Sequence, residues 1–427
     1  MMRMSGKLIL LALSTTISLV QAQNKTLWSY YNTWCMGSDD QWNLMSRPYY
    51  ISTKTYGANI GNTTHVIVFM GNEIIKSDHA PYYSITAEYS KNGGSSVDSI
   101  NFLWNGVSNP QSGPSAWKSR GGIEALRDSL HAHGKKLLVC LQAVNARAFS
   151  TILADSTKTQ TLVDAIWEYN VIHDLDGVNL NIENNETFTD GQFVAFFRML
   201  DRKRPVNQLI TAVPPATQWK KYSNVVQYID YIMPQFYSYV SNWQVTPTCS
   251  GSAGNGVFLK APLNLTGIPH GSNHQDLQTW GPNQWHENGW PKSKIVVLLS
   301  NEANPFTEGD QLFSCAGNSS HFWADTLAYF MLKHGGKFTW DSINIGGYIH
   351  GISDTTFSFQ GAIMKSGQKF IIPVLTDQNI DSVVAWSTKG GYYNFGLYDI
   401  ATDSRTPASI KNPRHEHLCK ILFRPDR

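Results

Sequence analysis

Asn179, Asn181 and Glu183 occupy every second position at the end of the run Asp-Gly-Val-Asn-Leu-Asn-Ile-Glu, which extends from Asp176 to Glu183. Val178, Leu180 and Ile182 fill the positions between them. A period of two places these sets on opposite faces of a strand, one apolar and one polar. An ordinary half-buried strand alternates in the same way, but its outward face usually carries Lys, Thr or Ser. A carboxyl group with two amides behind it can deliver a proton while the amides orient a neutral, hydrogen-bonding substrate. Same-face neighbours on a strand are roughly 6.5–7 Å apart, so Asn181 and Glu183 can touch one ring-sized substrate. Met233, Gln235 and Tyr237 also alternate, and bring a second amide and a phenol.

These residues need a frame that holds strand ends side by side. Strands are expected at 27–34, 65–70, 136–142, 176–183, 208–213, 228–237, 294–300 and 343–352, several of them apolar on both faces as buried parallel strands require. Helical stripes lie between them. One is Ile123, Leu126 and Leu130; another is Leu162, Ala165, Ile166 and Tyr169 behind Asp155; a third is Phe193, Phe196, Phe197 and Leu200 behind Asp190. A fourth helix is expected near 321–334. The alternation predicts an α/β fold, a (β/α)8 TIM barrel, with an open doubly wound sheet as its competitor. No glycine-rich phosphate fingerprint follows any strand, which counts against the competitor. Long loops are expected after strands 2 and 6, and residues beyond about 375, with 383–386 and 392–398 as short strands, read as a small C-terminal β appendage. The expected division is 1–22 signal peptide, 23–370 barrel and 371–427 appendage.

Composition narrows the ligand. The formal net charge is +2 and 15% of residues are charged, so no basic field exists to attract nucleic acid. Fourteen Trp, with Asn, Ser, Thr and Gly crowding the loops, suit a neutral polyhydroxylated ligand whose C–H face stacks on aromatic rings. Trp243, Trp280, Trp285 and Trp290 fall in the loop after strand 6 and are candidates for substrate contact or for core, with Trp243 chosen as a binding residue. Arg3 and Lys7 precede an apolar run from Leu8 to Val20 that ends at small Ala22, the pattern of a signal peptide. The expected location is therefore extracellular, with no membrane attachment after cleavage. Of five Cys, Cys140 lies inside a strand and is expected to be buried; Cys249 and Cys315 are either bridged or two unrelated thiols. Asn24, Asn62, Asn185, Asn264 and Asn318 begin Asn-X-Ser/Thr acceptors. His415 and His417 read as a solvated tail, and no HExxH or paired CxxC implies a metal or other cofactor.

No second carboxylate precedes Glu183 on its face, and Asp176 lies near the strand's other end. This fits poorly with the two-carboxylate schemes of retaining or inverting glycosidases. One acid with amides and a tyrosine suits a reaction in which the substrate supplies its own nucleophile. The 176–183 segment resembles the fourth-strand signature of glycoside hydrolase family 18, Asp-Gly-X-Asp-X-Asp-X-Glu. Ser29-Tyr30-Tyr31-Asn32-Thr33-Trp34, Thr64-His65-Val66-Ile67, Thr211-Ala212-Val213-Pro214, Pro234-Gln235-Phe236-Tyr237 and Ile345-Gly346-Gly347-Tyr348 resemble its first, second, fifth, sixth and eighth strands in order. The likeness covers about residues 27–360.

The resemblance implies a β-1,4-N-acetylglucosamine substrate, as chitin or as a glycan core. Glu183 would protonate the glycosidic oxygen while the 2-acetamido carbonyl attacks C1. Tyr237 would hydrogen-bond that carbonyl and Asn181 would orient the acetamido N–H. Gln235, Asn179, Tyr30 and Met233 would hold the sugar, and Asp176 would support the strand from below. Chitinase, endo-β-N-acetylglucosaminidase and inactive glycan-binding lectin are the three readings it leaves. Both interior Asp of the signature are Asn here, and the third strand reads Cys140-Leu141-Gln142-Ala143 in place of Ser-X-Gly-Gly. The eighth-strand Trp that floors the family's central subsite aligns with Gly351. Little room is expected for an α+β domain between strands 7 and 8.

Overall fold

Eight parallel strands carry the molecule: β1 (Thr26–Asn32), β2 (His65–Glu73), β3 (Lys136–Ala143), β4 (Gly177–Ile182), β5 (Leu209–Ala212), β6 (Tyr231–Ile232), β7 (Val296–Ser300) and β8 (Asn394–Tyr398). They form one sheet in the order β7-β8-β1-β2-β3-β4-β5-β6. Its two ends meet at a parallel bridge between Ile232 and Ile295, which brings the sheet round into a barrel. The computed structural model describes residues 25–32, 62–73, 84–89, 97–103, 122–143, 146–182, 188–236, 239–241, 258–260, 277–278, 281–300, 302–303, 306–307, 322–323, 331–342, 346–359, 362–398, 417–418 and 421–423.

The outer layer follows from the helical stripes. Its longer described helices are α1 (Gly122–His131), α2 (Ala146–Leu153), α3 (Ser156–Ile172), α4 (Asp190–Arg202), α5 (Pro282–Glu287) and α6 (Asp377–Lys389). Asp155 caps α3 by accepting from Thr157 N and Lys158 N at 2.8 and 3.1 Å. Thr189 and Gln192 form a capping box on α4, whose Phe193, Phe196, Phe197 and Leu200 are all buried. These rings pack with the outward strand residues Val178, Leu180 and Ile182 in the main apolar core. Antiparallel hairpins at 84–89/97–103 and 239–241/258–260 fall in the long connections after β2 and β6.

Of residues 343–352, expected as the eighth strand, the described part 346–352 lies elsewhere. Gly346–Ile352 is a strand of a separate antiparallel sheet, ordered 306–307, 369–374, 346–352, 336–341. Its burial alternates from Tyr348 to Ile352, as in a sheet with one wet face, whereas Asn394–Tyr398 is buried at every position. Gly351, expected to replace the eighth-strand Trp, is a point of close approach: a Cβ there would meet Gly335 O at 2.3 Å. The antiparallel sheet thus occupies the connection between β7 and β8, where little room for a domain was expected.

The barrel therefore runs through Tyr398, past the boundary expected at 370. Residues 383–386, expected as a strand of the C-terminal appendage, belong to α6. Thr376 and Asn379 cap that helix, and Ile380, Val383, Val384 and Ser387 bury its inner side. The expected helix at 321–334 is also revised, because Phe322–Trp323 pairs with Glu302–Ala303 as strand, and helix is described only at 331–333. His417 is no solvated tail: its Nε2 lies 2.9 Å from Asp381 Oδ1 on α6. Leu418 and Leu422 beside it are buried in the core, and Lys25 Nζ donates to Leu422 O at 3.1 Å. His415, the signal segment 1–22, Cys35, Cys249, Cys315, Cys419 and the acceptors Asn24, Asn185, Asn264 and Asn318 lie outside the described residues.

Candidate active site

β4 is anchored at its base by Asp176. Its Oδ2 accepts from Leu137 N at 2.8 Å and contacts His131 Nε2 on α1 at 2.8 Å, while its backbone oxygen accepts from Leu209 N. One residue thus ties β4 to β3, β5 and α1. The following Gly177 has φ +150°, and a Cβ there would meet Leu209 O at 2.2 Å, so the Asp-Gly pair is what lets β5 come alongside.

From that base β4 turns Asn179 and Asn181 into the barrel. Asn179 has no exposed surface, and Asn181 is 5% exposed. Tyr30 on β1 donates to Asn179 Oδ1 at 3.0 Å across the interior, and Asn179 Nδ2 donates to Thr211 Oγ1 on β5 at 2.8 Å. Met233 Sδ closes the group, 3.5 Å from Tyr30 Oη. One step toward the strand ends, Gln235 Nε2 lies 3.5 Å from Asn181 Oδ1, at the outer limit of a hydrogen bond, and 3.4 Å from Val213 O. Gln235 is placed there by a parallel bridge to Pro215 that extends the β5–β6 pairing.

The structure thus brings Tyr30, Asn179, Asn181, Met233 and Gln235 together at the C-terminal side of the barrel, where barrel active sites are built. Glu183, Tyr237 and Trp243 lie outside the described residues; Ile182, immediately before Glu183, ends β4. Trp285 and Trp290, weighed as substrate contacts, are core instead: both are fully buried, and Trp285 Nε1 donates to Ala216 O at 3.0 Å. Trp280 lies outside the described residues. Cys140 is buried, as expected of it.

Two residues not singled out by sequence belong to the site. Thr211 completes the Asn179 network; the quoted Thr211-Ala212-Val213-Pro214 run located its strand but not its partner. Tyr398 ends β8, buried beside Tyr30 with ring centroids 5.5 Å apart in an edge contact. It was hidden by the misplaced eighth strand, although the alternating Phe395 and Leu397 already marked a strand with one apolar face. Phe188, the first described residue after Glu183, stacks on Phe193 and sits under the Lys221 ammonium at 4.0 Å, and burial lowers the Lys221 pKa.

The opposite end of the barrel is closed. Trp28 stacks on His65 at 3.8 Å, with Tyr231 tilted against both. Burial, with Lys136 assisting, pushes the His65 pKa down to about 3, so this plug is neutral. Among the described residues no group of three or more His, Cys, Asp or Glu gathers as a metal site, and no helix is long and apolar enough to cross a membrane.

The model of the glycosyl hydrolases family 18 matches residues 40–391. Solved structures agree in fold. The group IV chitinase of Ostrinia furnacalis superposes with a TM-score of 0.61 at 13% identity, covering 93% of this chain and 99% of its own. A chitinase from Rhizomucor miehei gives 0.59 at 14% identity, with 93% and 100% covered. Human YKL-39, a pseudo-chitinase with retained chitooligosaccharide binding properties, gives 0.60 at 14%, with 93% and 99% covered. No curated protein matches the chain in sequence. A family match over most of the chain, on a barrel of eight parallel strands, places this protein among the glycosyl hydrolases of family 18.

Proposed function

We propose that this protein is a secreted glycosidase that cleaves β-1,4 linkages between N-acetylglucosamine units of chitin or chito-oligosaccharides. Residues 1–22 would direct export. Glu183 is the general acid in this reading, and the substrate's acetamido carbonyl is the nucleophile, giving an oxazolinium that water opens with retained configuration. Asn181 and Gln235 orient the acetamido group, Tyr237 holds its carbonyl oxygen, and Tyr398 supplies the aromatic floor that Gly351 does not. The observation that supports this reading is Gln235 Nε2 lying 3.5 Å from Asn181 Oδ1, next to the buried Tyr30–Asn179–Thr211 network of the barrel interior. Amides that take sugar O–H and N–H groups beside rings that cover a C–H face form a neutral sugar site.

A second reading, a chitin-binding lectin, is favoured by the two Asn that replace the signature's interior Asp, and by the likeness to a pseudo-chitinase. A third is cleavage of the chitobiose core of N-glycans. Incubation with chitin oligomers and with a high-mannose glycopeptide, comparing the parent with Glu183→Gln, separates them. Oligomer cleavage abolished by Glu183→Gln is expected. Tight binding without turnover of either substrate selects the lectin, and glycopeptide cleavage alone selects the third reading.

A further inference from the structure

Three groups face the Asn179 amide inside the barrel. Tyr30 Oη donates to Oδ1 at 3.0 Å. Thr211 Oγ1 accepts from Nδ2 at 2.8 Å, and its own hydrogen goes to Val178 O at 3.1 Å. Met233 Sδ lies 3.9 Å from Nδ2. The surroundings therefore offer one donor and two acceptors. An amide presents the complement, one acceptor and two donors; a carboxylate presents acceptors alone. The side chain has no exposed surface, so a mismatched group cannot turn to water instead.

The charge balance agrees. The described side chains clustered in the barrel interior around Tyr30 and Met233 include Ile67 from β2, Cys140 from β3, Val213 after β5, Leu298 from β7 and Tyr398 from β8, with Thr211 on β5 beside Asn179. His65 and Tyr231 lie in the layer below. The titratable groups among them are phenols, a thiol and a buried imidazole; no ammonium, guanidinium or carboxylate of a described residue belongs to this layer. Among the described residues, a buried carboxylate at 179 would find no counter-charge here.

We propose that Asn179 is a positioning residue that the barrel holds specifically as an amide. It keeps the layer beneath Asn181 neutral and fixes Tyr30 edge-on to Tyr398. This rests on the reading of Glu183 as the acid, and it separates the signature's two Asn: position 181 tolerates a carboxylate and position 179 does not. Gln235 can donate to a carboxylate at 181, whereas Thr211 and Met233 ask for donors from 179.

The test is thermal melting of Asn179→Asp, Asn179→Leu and the parent from pH 4.5 to 7.5. A carboxyl group buried here has its folded-state pKa raised, so the Asp variant is stable below its unfolded value of about 4 and loses stability as pH rises. At pH 7.5 its Tm is expected about 5 °C or more below the parent's. By pH 4.5 the deficit should fall to half or less, because a protonated carboxyl again offers one donor to Thr211 and one acceptor to Tyr30. The Leu variant should show a deficit that does not change with pH. An Asp variant as stable as the parent at pH 7.5, or one with a pH-independent deficit, overturns the proposal. If Asn179→Asp is unfolded at pH 7.5, refolding at pH 4.5 supports the proposal; failure at both pH values while Asn179→Leu folds overturns it. Turnover provides the functional readout: Asn179→Asp should gain none at any pH from 4.5 to 7.5, and a gain overturns the assignment. Melting needs no substrate, so loss of the glycosidase reading through Glu183→Gln would leave this result independent.

Discussion

Asn181→Asp restores a carboxylate two positions before Glu183 at the one interior position suited to it. Asn181 is 5% exposed, and the nearby Gln235 Nε2 can donate to a carboxylate as it faces the amide oxygen now. Alternate positions on one strand face are roughly 6.5–7 Å apart. At an effective dielectric near 20, two carboxylates at that separation repel by about 2.5 kcal/mol. With Glu183 as the acid, that repulsion is expected to extend the range over which it stays protonated upward by about two pH units. In the proposed mechanism the new charge would also stabilise the oxazolinium, where an amide offers only its dipole. The assay is kcat/KM against pH from 4 to 8 on a chromogenic chito-oligosaccharide. The descending limb should move up by about one to two pH units, and turnover at pH 6.5 should rise about tenfold, less than full coupling allows because a weaker acid transfers its proton more slowly. An unmoved limb with equal or lower turnover would refute the electrostatic reasoning and show a site adapted to Asn.

Two further outcomes are expected. His65 has a folded-state pKa of about 3, below its ordinary 6.5, so its contribution is complete above about pH 6.5 and is lost as the unfolded chain takes up a proton on acidification. The free energy of unfolding should therefore fall from pH 6.5 to 4, with a slope of up to about 1.4 kcal/mol per pH unit in denaturant titrations, and His65→Phe, which keeps a ring on Trp28, should flatten it; equal slopes would place the acid sensitivity elsewhere. Tyr398→Ala should weaken calorimetric binding of an N-acetylglucosamine tetramer by about 1–2 kcal/mol while Tyr398→Trp retains it, and unchanged affinity in the Ala variant would move the floor to another ring.

The sequence by itself determined the barrel, the position of β4 within it and which of its side chains turn inward. A period of two is a local property, and Val178, Leu180 and Ile182 had nowhere to go but the helix-facing core. Helix starts at Asp155 and Asp190 were legible for the same reason, since caps and stripes are written within a few residues. Tertiary structure decided what depends on partners distant in the chain. Residues 346–352 and 394–398 are both short apolar runs, and only their neighbours make one antiparallel with a wet face and the other the closing barrel strand. α6 could have been found from Thr376, Asn379 and the 380, 383, 384, 387 spacing, but Val383-Val384-Ala385-Trp386 reads equally well as strand when taken alone. Trp285 and Trp290 were undecidable as core or contact because burial is set by what packs over them. The two Asn of β4 look equivalent in sequence. Their difference comes from Thr211, Met233 and Tyr30 around one and Gln235 beside the other, side chains that only closure of the sheet brings within hydrogen-bonding reach.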